Sequence, residues 1–283
     1  MKSIIVIALL AGCSAVHAAS GVPENWVRPT APFEVFDDVW WVGTEGLGAW
    51  LFVTDDGLVL LDVGMPENAE AVAANIGALG FAVTDVRILL NSHAHFDHSG
   101  GLARLKADSG ARLLASAADR QALEEGIYPG WEELAYLEFP PVQVDRVIED
   151  GETVTLGGVS LTAHLTPGHS PGCTSWAFDA HDGDETYRAL IFCSASVALN
   201  RLAPEPQYPG IVDDYRRTFD TMRALPVDVW LAPHAEQFGL AEKRARQGGD
   251  TNPFVDPTEK DRRMAAFEAA FEAALAEQAQ ASP

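Results

Sequence analysis

The stretch NSHAHFDHSGG, residues 91–101, limits what this chain can become more than any other feature. It places His93, His95, Asp97 and His98 within six positions. It follows DVRILLNS, residues 85–92, which reads as a continuous apolar strand. In an extended segment alternate side chains share a side, so His93 and His95 point the same way, and Asp97 and His98 then enter a helix start. A solvated polar turn has no use for three of the chain's eight histidines. A metal site does.

Other polar residues fall at equivalent places. GVSLTAHL runs into Thr166-Pro167-Gly168-His169, VDVWLA into Pro233-His234, LVLL into Asp62, and ALIFC into Ser194. Active-site groups in α/β proteins gather just past the carboxyl ends of strands, so these residues are expected on one rim. His17 lies in the N-terminal segment. His164, within a strand, and His181, near a hairpin tip, read as structural. Six candidate ligands remain: His93, His95, Asp97, His98, His169 and His234. Imidazole and carboxylate without thiolate suit zinc, and iron and manganese accept similar sets. Three protein ligands per ion, with a shared water in the open positions, is the form of a catalytic two-metal site.

The surrounding pattern alternates strands and helices. VWWVGTEGLGAWLFVTDDGLVLLDVG is strand-rich and broken at Asp55-Asp56-Gly57, as by a hairpin turn. Residues 67–80, 100–110, 117–126, 212–225 and 260–278 carry helical patterning, and residues 127–142 read as a long loop. TSWAFDAHDGDETYRALIFCS, residues 174–194, reads as a hairpin turning near Asp182-Gly183. The class is α/β with mixed sheets. Apolar residues make up 47% of 283, enough for a substantial core. Nineteen basic against 41 acidic residues, a formal charge of −22, argues against nucleic acid or anionic lipid as partner.

The N-terminus reads as a targeting segment: Lys2, an apolar run over residues 4–10 too short to span a bilayer, then small residues. Cleavage after Ala18 leaves a single domain over 19–283. Alternatively Leu10-Ala11-Gly12-Cys13 resembles a lipoprotein box, which would anchor an acylated Cys13 in the outer membrane. Either route exports the protein, with the periplasm the expected compartment.

HAHFDH is the H-x-H-x-D-H signature of the metallo-β-lactamase superfamily, and the chain resembles that superfamily from about residue 34 to 260. The resemblance implies an αββα sandwich of two mixed sheets flanked by helices. The signature is shared by glyoxalase II, lactonases and RNA-processing nucleases. Ser194 stands where many relatives have a bridging aspartate or a cysteine, and with TPGHSPGCTSW and VDDYRRTFDTMRALPVDVWLAPH this is similar to class B, subclass 3 enzymes. The resemblance implies His93, His95 and His169 on a first zinc, and Asp97, His98 and His234 on a second. It also implies Ser194 and Ser196 as the grip on the substrate carboxylate. The loop departs from relatives here: Val197-Ala198-Leu199-Asn200 stands where they often have Pro-Gly. Asp62 is expected to orient ligands or waters.

The expected activity is zinc-dependent β-lactam hydrolysis conferring antibiotic resistance, by a chain acting as a monomer. A water activated between two zinc ions attacks the strained amide, with Asp97 as the catalytic residue orienting it. Ser194 lacks a G-x-S-x-G elbow and is not expected to be a nucleophile. The alternatives are another exported hydrolase of this fold, a lactonase or thioesterase, and less readily a non-catalytic zinc-binding protein. Cys173 and Cys193 flank the hairpin symmetrically about Gly183 and are expected to form a disulfide. Trp50, Trp131 and Tyr128 are candidates for the cleft wall, with ordinary packing the simpler expectation for each.

Overall fold

Successive residues along each strand point to opposite faces, and apolar side chains on both faces build four layers. The computed structural model describes residues 21–281; the targeting segment 1–18, with Cys13, lies outside them. One sheet holds β1 (Phe33–Phe36), β2 (Val39–Trp41), β3 (Trp50–Thr54), β4 (Gly57–Leu61), β5 (Val86–Leu90), β6 (Arg112–Ser116) and β7 (Arg146–Ile148), side by side in chain order. β1 to β4 form an antiparallel meander, and β4 to β7 run parallel. The second holds β8 (Thr153–Leu156), β9 (Val159–Leu165), β10 (Thr174–Asp182), β11 (Glu185–Ile191) and β12 (Val229–Leu231), in the order β12-β11-β10-β9-β8. Only its β11–β12 pair is parallel.

On β4, Val59 and Leu61 face the other sheet while Leu58 and Leu60 face outward. The outward side is covered by α1 (Asn68–Ala78), α3 (Leu102–Ser109) and α4 (Arg120–Glu125), through Val72, Ile76, Leu102, Leu105 and Leu123. Between the sheets lie Phe52, Leu90, Trp176 and Phe178. α5 (Ile211–Ala224) and α7 (Glu259–Gln280) close the far side with Tyr215, Phe219, Met222 and Phe271. This is the αββα sandwich. Two further helices are short: α2 (Phe96–Ser99) and α6 (Leu240–Arg244).

The helical pattern over residues 100–110 becomes one helix, α3. α2 stops at Ser99, and α3 starts separately at Leu102. The hairpin turns over Gly183-Asp184, since Asp182 pairs with Glu185. Cys173 and Cys193, both fully buried, are disulfide-bonded with Cα atoms 5.8 Å apart. The bond closes a loop of 20 residues. By loop entropy, Cys173→Ser is expected to cost about 3 kcal/mol, read as a lowered urea midpoint with a larger m-value from the less restrained unfolded chain.

Candidate metal centre

Three strand ends deliver the histidines. β5 ends at Leu90, and the chain turns through Asn91 and Ser92 into His93, Ala94 and His95, the residue that precedes α2. β9 ends at Leu165 and reaches His169 through Pro167-Gly168. Gly168 has φ +138°, and a Cβ there would lie 2.9 Å from the Tyr215 ring, so this close turn requires glycine. β12 ends at Leu231 and leads to His234, whose backbone bridges to Leu47.

The six residues fall into two triplets, His93–His95–His169 and Asp97–His98–His234, with ligand atoms within 4.8 Å of one another in each. In the second, the Nε2 atoms of His98 and His234 face each other at 3.1 Å, and Asp97 Oδ2 lies 3.4 Å from both. A tetrahedral ion with bonds of about 2.0–2.1 Å spaces its ligand atoms about 3.3 Å apart. His93 Nε2 is buried with no hydrogen-bond partner, while its Nδ1 meets Ser92 Oγ at 3.0 Å. His169 Nδ1 donates to the Ser196 carbonyl at 2.8 Å, which leaves Nε2 as its free lone pair. Converging lone pairs, a buried orphan nitrogen and one carboxylate fit a cation at each triplet. A third grouping, His93 with Cys173 and Cys193, offers no thiolate because the two sulfurs are bonded to each other.

The electrostatics keep these donors available. Burial and the neighbouring imidazoles hold His93 and His95 well below the usual histidine range, and burial lowers His169 to about 4. Burial opposes ionisation of Asp97, but His98 and His234 hold it well below the usual carboxylate range. Burial likewise opposes charge on His98, yet Asp97 and Asp62 raise it overall. Neutral His93, His95 and His169 and an ionised Asp97 are the ligand forms a metal needs. A cation at the second triplet displaces the proton that the carboxylates favour on His98.

Asp62 lies fully buried between the two triplets. It accepts from Ser92 N at 2.8 Å and Ser92 Oγ at 2.6 Å, and sits 3.7 Å from His98 Nδ1. Burial pushes its carboxyl up to about 6. Its φ of +60° is unusual for a non-glycine residue and costs on the order of 1 kcal/mol, tolerated because the hydrogen bonds over-determine it.

Ser194 Oγ and Ser196 Oγ lie 3.2 Å apart, and Ser196 Oγ is 3.3 Å from His169 Nδ1. That approach is not a nucleophile–base pair, since Nδ1 already donates to a carbonyl. In the loop after them Ala198 has φ +47°, a conformation glycine takes without cost. Asn200 turns inward and donates to the carbonyls of Gly168 and His169. The departure from Pro-Gly therefore gives a loop tied back onto the His169 turn.

His164 and His181 stay outside the cluster. His164 is half-buried on β9, and exposed His181 Nδ1 lies 3.1 Å from Thr186 Oγ1. Trp50 is core, packed against Trp41 and Phe238. Trp131 lies under the Arg201 guanidinium at 4.4 Å. Tyr128 departs from the simple packing expectation: it stacks on the His95 ring at 3.9 Å and 14°. Trp26, which the pattern did not single out, lies 5.2 Å from the His234 ring. Also missed were Asn91, which donates to the His93 carbonyl, and Asp119, which accepts from Ala94 N. Asn91 lies inside the quoted stretch and was findable there; Asp119 is 25 positions from Ala94 with no local signal.

A family model described as the metallo-beta-lactamase superfamily matches residues 44–234. Among solved structures, the chain is similar to BJP-1, a subclass B3 metallo-beta-lactamase of Bradyrhizobium japonicum: 46% identity, TM-score 0.88, covering 90% of this chain and 97% of that one. It is also similar to the FEZ-1 metallo-beta-lactamase of Legionella gormanii: 34% identity, TM-score 0.85, covering 89% and 97%. Among curated proteins it is 31% identical to a hydroxyacylglutathione hydrolase of Rhodospirillum rubrum over 113 residues, 40% of this chain and 36% of that protein. The chain spans about a third to a half of the length of the first such relatives it matches.

Proposed function

The chain belongs to the metallo-beta-lactamase superfamily, and from that membership we propose that it hydrolyses the amide bond of β-lactams with two zinc ions. It is a metal-binding hydrolase of this superfamily with subclass B3 structural neighbours. The observation that carries the finer reading is the second triplet. Position 194 is a serine, and Asp97, His98 and His234 converge without a carboxylate or thiolate from that strand end.

When bound, the metals supply a water made nucleophilic at neutral pH and a Lewis acid for the amide carbonyl. His93, His95 and His169 hold one ion, and Asp97, His98 and His234 the other. Asp97, kept ionised by its two histidines, orients the attacking water. The paired hydroxyls of Ser194 and Ser196 donate to the substrate carboxylate one residue's reach from His169. Tyr128 over His95 and Trp26 beside His234 cover imidazole faces and limit water on two sides. The reading includes export to the periplasm and a role in antibiotic resistance.

The curated matches favour a second reading, thioester hydrolysis of the hydroxyacylglutathione type. Purified residues 19–283 decide between them with a chromogenic cephalosporin and a glutathione thioester, each before and after chelation. Cephalosporin turnover lost on chelation and restored by zinc is expected. Thioester turnover alone, by a zinc-loaded folded protein, would sink the β-lactam reading.

A further inference from the structure

We infer that Asp119 is the positioning residue of the three-histidine cluster, a single buried carboxylate that ties together the two separate loops supplying all three imidazoles. The inference rests on reading His93, His95 and His169 as a metal site.

Asp119 lies between β6 and α4 and is 1% exposed. Its Oδ2 accepts from Ala94 N at 2.9 Å, the peptide between His93 and His95. The same oxygen accepts from Ser170 Oγ at 3.1 Å, on the residue after His169. Its Oδ1 accepts from Gly172 N at 2.8 Å. The first donor comes from the loop after β5, in one sheet; the other two come from the loop after β9, in the other. The carboxylate thus closes the rim between sheets at the point where the cluster forms. A second tie, Thr174 N to the Ser92 carbonyl at 2.8 Å, joins the loops on the other side of these histidines.

The carboxylate is itself fixed. Asp119 N donates to Ser116 Oγ at 3.3 Å, and Ser116 Oγ donates to the Gly172 carbonyl at 2.8 Å. Gly172 leaves room for this: a Cβ there would lie 2.2 Å from Ser116 Oγ and 2.5 Å from Asp119 Cγ. The cluster needs such a tie because its rings are unequally held. His93 meets Ser92 Oγ and His169 donates to the Ser196 carbonyl. His95 has no ring hydrogen bond among the described residues and relies on stacking with Tyr128 and on where its backbone is held. Asp62 sits between the triplets, 3.7 Å from His98 Nδ1 and reaching His93 through Ser92. Asp119, by contrast, contacts only the loops that carry the three histidines.

Zinc affinity measured by competition with a chromogenic chelator tests this without any turnover assay. A His234→Ala background leaves the three-histidine cluster intact; a His95→Ala background leaves the other. Asp119→Asn keeps the size, but an amide cannot accept at both oxygen positions. It is expected to weaken zinc about 10–100-fold in the His234→Ala background, with a shifted cobalt(II) absorption band. In the His95→Ala background affinity is expected to stay at its parent value. Ser170→Ala, which removes one donor and disturbs the fold least, is expected to give a smaller loss of the same selectivity, and carries the test should Asp119→Asn not fold. Unchanged affinity in the His234→Ala background, or equal loss in both, overturns the inference while leaving the metal reading intact. Failure of the His234→Ala parent to bind zinc overturns both.

Discussion

Asp97→Asn is expected to lower kcat/KM for a β-lactam about a thousandfold, a loss of about 4 kcal/mol of transition-state stabilisation. The argument is geometric before it is electrostatic. Asp97 Oδ2 lies 3.4 Å from both His98 Nε2 and His234 Nε2, so it is the one anion in a cage otherwise built of imidazoles. Its burial would favour the neutral acid; the two histidines reverse that and keep it charged. An asparagine fills the same space but offers a cation a neutral amide in place of a carboxylate. Two measurements separate its roles. Metal content should fall from two zinc ions toward one, and the residual rate at saturating zinc should stay depressed if Asp97 also orients the water. Full recovery at high zinc would reduce Asp97 to a ligand alone.

The second large effect lies behind His234. Lys243, on α6, and Glu259, at the start of α7, are bonded at 2.5 Å with side chains 7% and 4% exposed. Arg263 adds a contact to Glu259 at 3.0 Å, and the Lys243 ammonium lies 5.6 Å from the Phe238 and Phe254 rings. Phe238 ends the turn that begins at His234 and packs on Trp41 and Trp50. Glu259→Ala leaves a buried ammonium without its partner and is expected to cost about 3–5 kcal/mol by urea unfolding. Replacing both charges, Lys243→Met with Glu259→Leu, should recover most of it. A double variant as unstable as the single one would refute the argument.

A pH dependence follows with a definite sign. Burial holds Lys243 below its ordinary pKa, against the pull of Glu259. The unfolded chain then binds more protons than the folded one between the folded and unfolded pKa values, so this group's contribution to stability rises with pH there. Without Glu259 the depression deepens, and the deficit of Glu259→Ala should shrink toward pH 10.

Much of the architecture is legible along the chain because the relevant physics is local. The continuous apolar runs LVLL and ILL assign β4 and β5 to a sheet buried on both faces, and the amphipathic runs after Gly210 and Pro257 become α5 and α7. The symmetry of Cys173 and Cys193 about one turn is enough to pair them. The gap between α2 and α3 was not legible. Gly101 can continue a helix, but at this point a Cβ would lie 2.4 Å from Val63 Cγ1, a contact from a strand end nearly forty residues earlier.

The same division runs through the site. The sequence by itself determined the donor types and their place just past strand ends, because side-chain period and strand termination are properties of neighbouring residues. Neither side-chain period nor strand termination says which donors share a triplet. The family resemblance implies the division, and the fold produces it by bringing His169 and His234 from different strands of the second sheet. Tertiary structure decided what holds them. Asp119 under Ala94, Asp62 under Ser92, Tyr128 on His95 and Asn200 beneath His169 all act across 25 or more residues. Buried carboxylates and stacked rings need partners to satisfy their lone pairs and faces, and only the folded chain says which partners are within reach.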